Sequence, residues 1–169
     1  MKKLLFLPLL ALLFMGATAT AQSLKIGHIN ANQLLSIMPG RQEAQTQLEK
    51  HARDLETKFT ELQTELQTKY TDYLANESTF SDLIKTSKQR ELTSLQERIQ
   101  EFQEMAQQDL AQTESRLLSP IMEAARKAIE EVARENGYSY ILDTSAGSVL
   151  FSPPADDILG LVRAKLKIN

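Results

Sequence analysis

Between Gly40 and Gly137 lie 96 residues without a single glycine, and only one proline, Pro120, interrupts them. At about 1.5 Å of rise per residue, a straight helix of that length would reach roughly 140 Å. No small globule can cover the apolar stripe of such a rod. The stretch must therefore fold back on itself or pair with another helix, and its partner largely decides what the chain can do.

The apolar spacing favours folding back. Leu48, Ala52, Leu55, Phe59, Leu62, Leu66, Lys69 and Tyr73 follow one another at alternating steps of four and three, a heptad seam with one polar interruption at Lys69. A second series begins at Leu92 and runs through Leu95, Ile99, Phe102, Ala106 and Leu110 to Leu117, Ile121, Ala124, Ala128 and Val132. Its consecutive steps of four form a stutter, which locally unwinds a left-handed coil. Each stripe is wide enough for one partner helix and no more. Between them, Asn76-Glu77-Ser78-Thr79-Phe80-Ser81-Asp82 is rich in side chains that compete with helical backbone bonds. The spacing thus predicts an antiparallel hairpin that reverses between Asn76 and Lys88, with a kink at Pro120 in the returning arm.

Strand signals flank the hairpin. Leu24 to Asn30 alternates apolar and polar residues, and Asn30 or Asn32 can cap a short helix carrying Leu34, Leu35, Ile37 and Met38 before Pro39-Gly40 stops it. Past Gly137, Tyr138–Leu142 and Gly147–Phe151 read as two short strands joined by a turn. Asp156 or Asp157 then caps a last helix, with Ile158, Leu159, Leu161, Val162, Leu166 and Ile168 facing inward. So few short elements bury little apolar area. The two ends should meet in one small body that closes against copies of itself, with Ile26, Ile29, Ile141, Val149 and Phe151 at the junction. The fold class is α+β, predominantly α, with residues 41–136 as the arm and residues 22–40 and 137–169 as the oligomerising body.

Residues 1–21 have a basic start, a twelve-residue apolar core and a small-residue Ala-x-Ala end at Ala21, the pattern of a cleaved secretory signal peptide. The apolar run is too short to span a bilayer, so the mature chain, from Gln22, is expected to carry no membrane segment. The chain has no cysteine, hence no disulfide and no lipid-modified cysteine. Loss of Lys2 and Lys3 leaves 17 basic residues against 22 acidic ones, a net charge of −5. That balance argues against nucleic acid as a partner.

The residues of catalysis are missing. His28 and His51 are the two histidines, they sit in different elements, and no metal-binding spacing joins them. They read as a strand residue and a solvated helix residue. There is no phosphate-binding glycine loop and no nucleophile elbow. Asp156-Asp157 is better explained as a helix cap than as a carboxylate pair, and Asn76-Glu77-Ser78 as turn chemistry than as a glycan acceptor. No catalytic residue, metal or cofactor is expected. Off the seam, Tyr70, Leu74, Phe80, Leu83 and Ile84 cluster at the distal end, where exposed apolar groups mark an interaction surface. Nearby, Lys85, Lys88 and Arg90 make a locally basic tip.

The order of parts resembles the Skp/OmpH family of periplasmic chaperones. The likeness lies in the strand Lys25-Ile26-Gly27-His28-Ile29-Asn30, the Gln- and Glu-rich hairpin, the helix exit from Ala133 through Asn136-Gly137 to Asp143, and the last helix opening at Asp156-Asp157-Ile158. It is similar to Bacteroidetes-type members, which carry the proline seen here at Leu117-Leu118-Ser119-Pro120-Ile121. The resemblance implies a homotrimer whose hairpins hang from a shared strand body around a cavity. It also implies an ATP-independent holdase for unfolded outer-membrane proteins, with Tyr70, Leu74, Phe80, Leu83 and Ile84 as client contacts. The family's best-known member is strongly basic and this chain is acidic, so lipid binding is not implied. The alternative is an exported coiled-coil scaffold of the cell envelope.

Overall fold

The computed structural model describes residues 24–168; the expected signal peptide lies outside them. In chain order the elements are strand β1 (Ile26–Ile29), helix α1 (Ala31–Ile37), helix α2 (Arg41–Asn76), a 3-10 turn (Glu77–Thr79), helix α3 (Asp82–Glu135), strand β2 (Tyr140–Asp143), a second 3-10 turn (Pro154–Asp156) and helix α4 (Leu159–Leu166). The glycine-free stretch is two helices, 36 and 54 residues long. At the helical rise they reach about 54 and 81 Å. Their reversal at Glu77–Ser81 falls within the expected window.

Local chemistry sets the boundaries. The Asn30 side chain accepts from the Gln33 backbone N–H at 2.9 Å and starts α1. Gly40 precedes α2 at φ 83°, a left-handed conformation that suits glycine. Ser81 caps α3 by accepting from Ile84. Helix α3 continues unbroken through Pro120. Pro120 and Arg116 both lie on its exposed side, so the Arg116 carbonyl that proline leaves without a donor can be hydrated. At its exit the Tyr138 N–H bonds the Ala133 carbonyl, with Gly137 at φ 69°.

The hairpin sends the chain out and back, so β1 and β2 meet side by side in the same direction. They pair in parallel with Ile26 opposite Tyr140 and Ile29 opposite Asp143. On the other side of β1, His28 bridges Asp157, and the Ile158 N–H donates to the His28 carbonyl at 3.0 Å. Gly27 is required here because a Cβ would lie 2.9 Å from the Tyr138 ring. The core of the base gathers Ile29, Leu34 and Met38 with Ile121, Ala128 and Val132 of α3 and Ile158 and Val162 of α4. The base is therefore built partly from the helical stretch itself. Lys165 of α4 ties it to α3, reaching Glu135 at 2.5 Å and Glu131 at 3.2 Å.

Five expectations need correction. Gly147–Phe151 is not a strand: the sheet among the described residues holds β1 and β2 alone, and the segment does not pair to the open edge of β2. Ile29 is only 2 % exposed inside its own chain's core, so it has no surface left for another copy. Leu161 points outward on α4. In α3 the seam uses Ala125, not Ala124, and buried Thr113 fills the step between Leu110 and Leu117. That places Ile99, Leu110, Ile121 and Val132 eleven residues apart, a repeat that calls for a straight or slightly right-handed path. His51 is only partly solvated: its side chain is 35 % exposed and its Nε2 sits 2.5 Å from Asp109 across the hairpin.

Candidate functional site

The arm holds itself together with little apolar material. Leu62 and Tyr73 of α2 and Leu95 of α3 are buried, and half-buried Leu55, Phe59, Leu66, Leu92, Ile99 and Phe102 complete the seam. Its polar interruption is satisfied across the hairpin, where Lys69 Nζ lies 2.5 Å from Glu91 and 4.0 Å from Glu65. A hydrogen bond to Glu91, reinforced by its charge, raises the Lys69 pKa above its ordinary value, and Lys69 holds Glu91 below its own. These groups are solvent-exposed, so the contact contributes more to register than to stability. The only other contact of this kind between ionisable side chains of α2 and α3 among the described residues joins His51 to Asp109.

Tyr73 organises the distal end. Its hydroxyl donates to Glu77 at 3.1 Å and accepts from Gln89 at 3.0 Å, so the residue is buried with its polar tip satisfied. The Phe80 ring packs against it at 6.2 Å between centroids. Phe80 is thus half-buried and belongs to the packing of the tip. The other four expected contact residues stand clear: Leu83 is 81 % exposed, Leu74 54 %, and Tyr70 and Ile84 just under half. Among the basic residues of the tip, Lys88 leans toward Glu91 at 3.8 Å.

The base shows a second uncovered apolar group. Ile26, Tyr140 and Leu142 are exposed on the sheet, and Leu150 and Phe151 stand 97 % and 85 % exposed on the segment after it. Ile141 and Val149 are half-buried, Ile141 against its own core. Asp143 serves the loop instead: it accepts from the Ser145 and Ala31 N–H groups, and these bonds, that from Ser145 foremost, hold its carboxyl below the ordinary range. The described residues contain no group of three potential metal ligands and no helix long and apolar enough to cross a membrane.

An arm with exposed apolar side chains at its end, carried on a small parallel-strand base, matches a known architecture. The family model for outer membrane protein (OmpH-like) matches residues 25–166. The chain belongs to the OmpH-like family. A chaperone protein Skp from Yersinia enterocolitica is 25 % identical over 155 residues, 92 % of this OmpH-like chain and 93 % of that protein. A chaperone protein Skp from Photorhabdus luminescens is 24 % identical over 158 residues, 94 % of this chain and 93 % of its own. In the solved structures, an OmpH-like protein from Caulobacter crescentus CB15 superposes with a TM-score of 0.73 at 18 % identity, covering 90 % of this chain and 89 % of that one. The likeness supports the same fold.

One feature of the OmpH-like arm escaped the reading of its sequence. Thr60-Glu61-Leu62-Gln63 recurs at once as Thr64-Glu65-Leu66-Gln67. That tandem repeat of four, read against a period of 3.6, would have sorted the arm's surface into separate rows of charged and uncharged residues.

Proposed function

We propose that the chain is an ATP-independent holdase chaperone of the periplasm that keeps unfolded outer-membrane proteins from aggregating, working as a homotrimer after removal of residues 1–21. The observation that carries this reading is the pair of uncovered apolar groups at opposite ends of the arm. Leu150 and Phe151, with Ile26, Tyr140 and Leu142, offer the base a surface for copies of itself. The outer edge of β2 has no strand partner among the described residues, and a neighbouring copy would cover it. Tyr70, Leu74, Leu83 and Ile84 are then held out on the arms, away from that contact.

The two Skp relatives named as chaperones support the same function at about a quarter identity. Binding and release run by mass action through many weak, adaptable contacts, so neither a cofactor nor a catalytic group is needed. The net charge of −5 in the mature chain favours basic stretches of a client and repels acidic bystanders. The test is to dilute urea-unfolded outer-membrane β-barrel proteins into buffer with the mature chain, without nucleotide, and follow light scattering. Suppression near one trimer per client is expected. Undiminished aggregation of several such clients would refute the holdase and favour an envelope scaffold.

A further inference from the structure

The two broad sides of the hairpin differ in charge. Over Thr57 to Ala75, the charged residues of α2 are Lys58, Glu61, Glu65, Lys69 and Asp72. Spaced three or four apart, they form one row along the helix. Lys69 reaches from that row to Glu91, so the row shares a side of the hairpin with Glu91 of α3. On the other side an open groove of about 820 Å³ runs between the helices, lined by Thr60, Gln63, Thr64 and Gln67 of α2 and Leu92 and Gln96 of α3, among others. No charged residue lines it. On α3 the uncharged side continues with Gln100 and Gln103, both exposed and on the Gln96 side by helical period.

The chemistry of this side is specific. In the groove the hydroxyls of Thr60, Thr64 and Thr68 each donate to the carbonyl four residues back, at 2.8–2.9 Å. Their donors are used, so they present γ-methyl groups and acceptor lone pairs. The glutamines add amides that both donate and accept. Such a surface costs far less to dehydrate than a charged one.

We propose that this uncharged side of the arm is the surface that holds non-native polypeptide, taking extended segments poor in charge. The inference rests on the chaperone reading and names the part of the arm that performs it. Thr57 to Leu74 spans about 27 Å at the helical rise, the length of roughly eight residues of extended chain. Glutamine amides match the donors and acceptors of an unpaired backbone, and Tyr70 and Leu74 flank the groove for apolar side chains. Two helices about 10 Å apart make a face of roughly 500 Å² over that length, below the roughly 800 Å² per partner of a stable interface. A second copy of the chain would be held poorly, whereas a client that must be released suits that area.

The test uses the full mature chain and a fluorescently labelled, urea-unfolded outer-membrane β-barrel protein. One variant carries Gln63→Glu, Gln67→Glu and Gln96→Glu, and a second carries lysine at the same three positions. A control places three glutamates on the opposite side of α3, as Ser94→Glu, Met105→Glu and Gln108→Glu. Both groove variants should weaken binding roughly tenfold or more, because a charge of either sign must be dehydrated, while the control stays within about twofold. Binding equal to wild type in the groove variants would overturn the proposal while leaving the chaperone reading standing. So would tighter binding by the lysine form, which would mark charge attraction as the cause. A changed oligomer mass in the groove variants would make this side a contact between copies and overturn it too. A wild-type chain that binds no unfolded barrel would instead overturn the chaperone reading itself.

Discussion

Replacing Leu150 and Phe151 together by alanine separates assembly from folding. The two side chains are 97 % and 85 % exposed within their own chain, so almost their whole apolar surface is available to a neighbouring copy. Fully covering one such side chain contributes about 1.5–3 kcal/mol, so the pair would supply about 3–6 kcal/mol per copy. At 1.4 kcal/mol per factor of ten, the loss should weaken association roughly a hundredfold to ten-thousandfold. Neither side chain is part of the chain's own core, so helical content should not change. Sedimentation velocity across a dilution series reads the first effect, and circular dichroism the second. Ile141→Ala is the contrast: Ile141 packs on its own core and should lower the melting temperature whatever the assembly state. A double variant that stays assembled at the wild-type midpoint would refute the placement of the interface.

Other substitutions test the rest of the structure. Leu34 is fully buried in the base, and Leu34→Ala should cost about 2–5 kcal/mol of stability in chemical unfolding. Gly27→Ala places a methyl 2.9 Å from the Tyr138 ring and should cost about 1–3 kcal/mol by the same assay. Replacing Leu74, Leu83 and Ile84 by serine should reduce aggregation suppression with little change in melting temperature, as all three are exposed. Glu91 has a folded pKa below its ordinary 4.5, so its ionised form favours the native state above about that pH, and the benefit is lost as pH falls through the lower folded value. Lys69 shows the opposite sign, its contribution present below 10.5 and lost as pH rises through the higher folded value. The melting-temperature difference between wild type and Lys69→Met should therefore be present at neutral pH and fade as pH falls below 4.5 and through the lower folded pKa of Glu91.

The arm was legible from spacing because a two-helix seam is a local pattern: Leu55, Phe59, Leu62 and Leu66 announce one another along a single helix. The reversal was legible for the same reason, since Ser81 and its neighbours carry their own turn chemistry. What spacing could not show was which long-range partner each short segment finds. Gly147–Phe151 has strand composition, yet its neighbour in sequence, β2, pairs with β1 more than a hundred residues away. Ile29 alternates like an interface residue, and only the return of α3 and α4 covers it. Thr113 carries no apolar signal, so spacing passes from Leu110 to Leu117 over a residue that the fold buries. At the tip, the tilted packing of Phe80 against Tyr73 depends on the geometry of the turn, which spacing along the chain does not carry.

Native mass spectrometry of the mature chain mixed with one urea-unfolded outer-membrane β-barrel protein, without nucleotide, tests the central claim most directly. The account predicts a dominant species of three copies holding one client. A client bound to single copies, or three copies that hold no client, would contradict it.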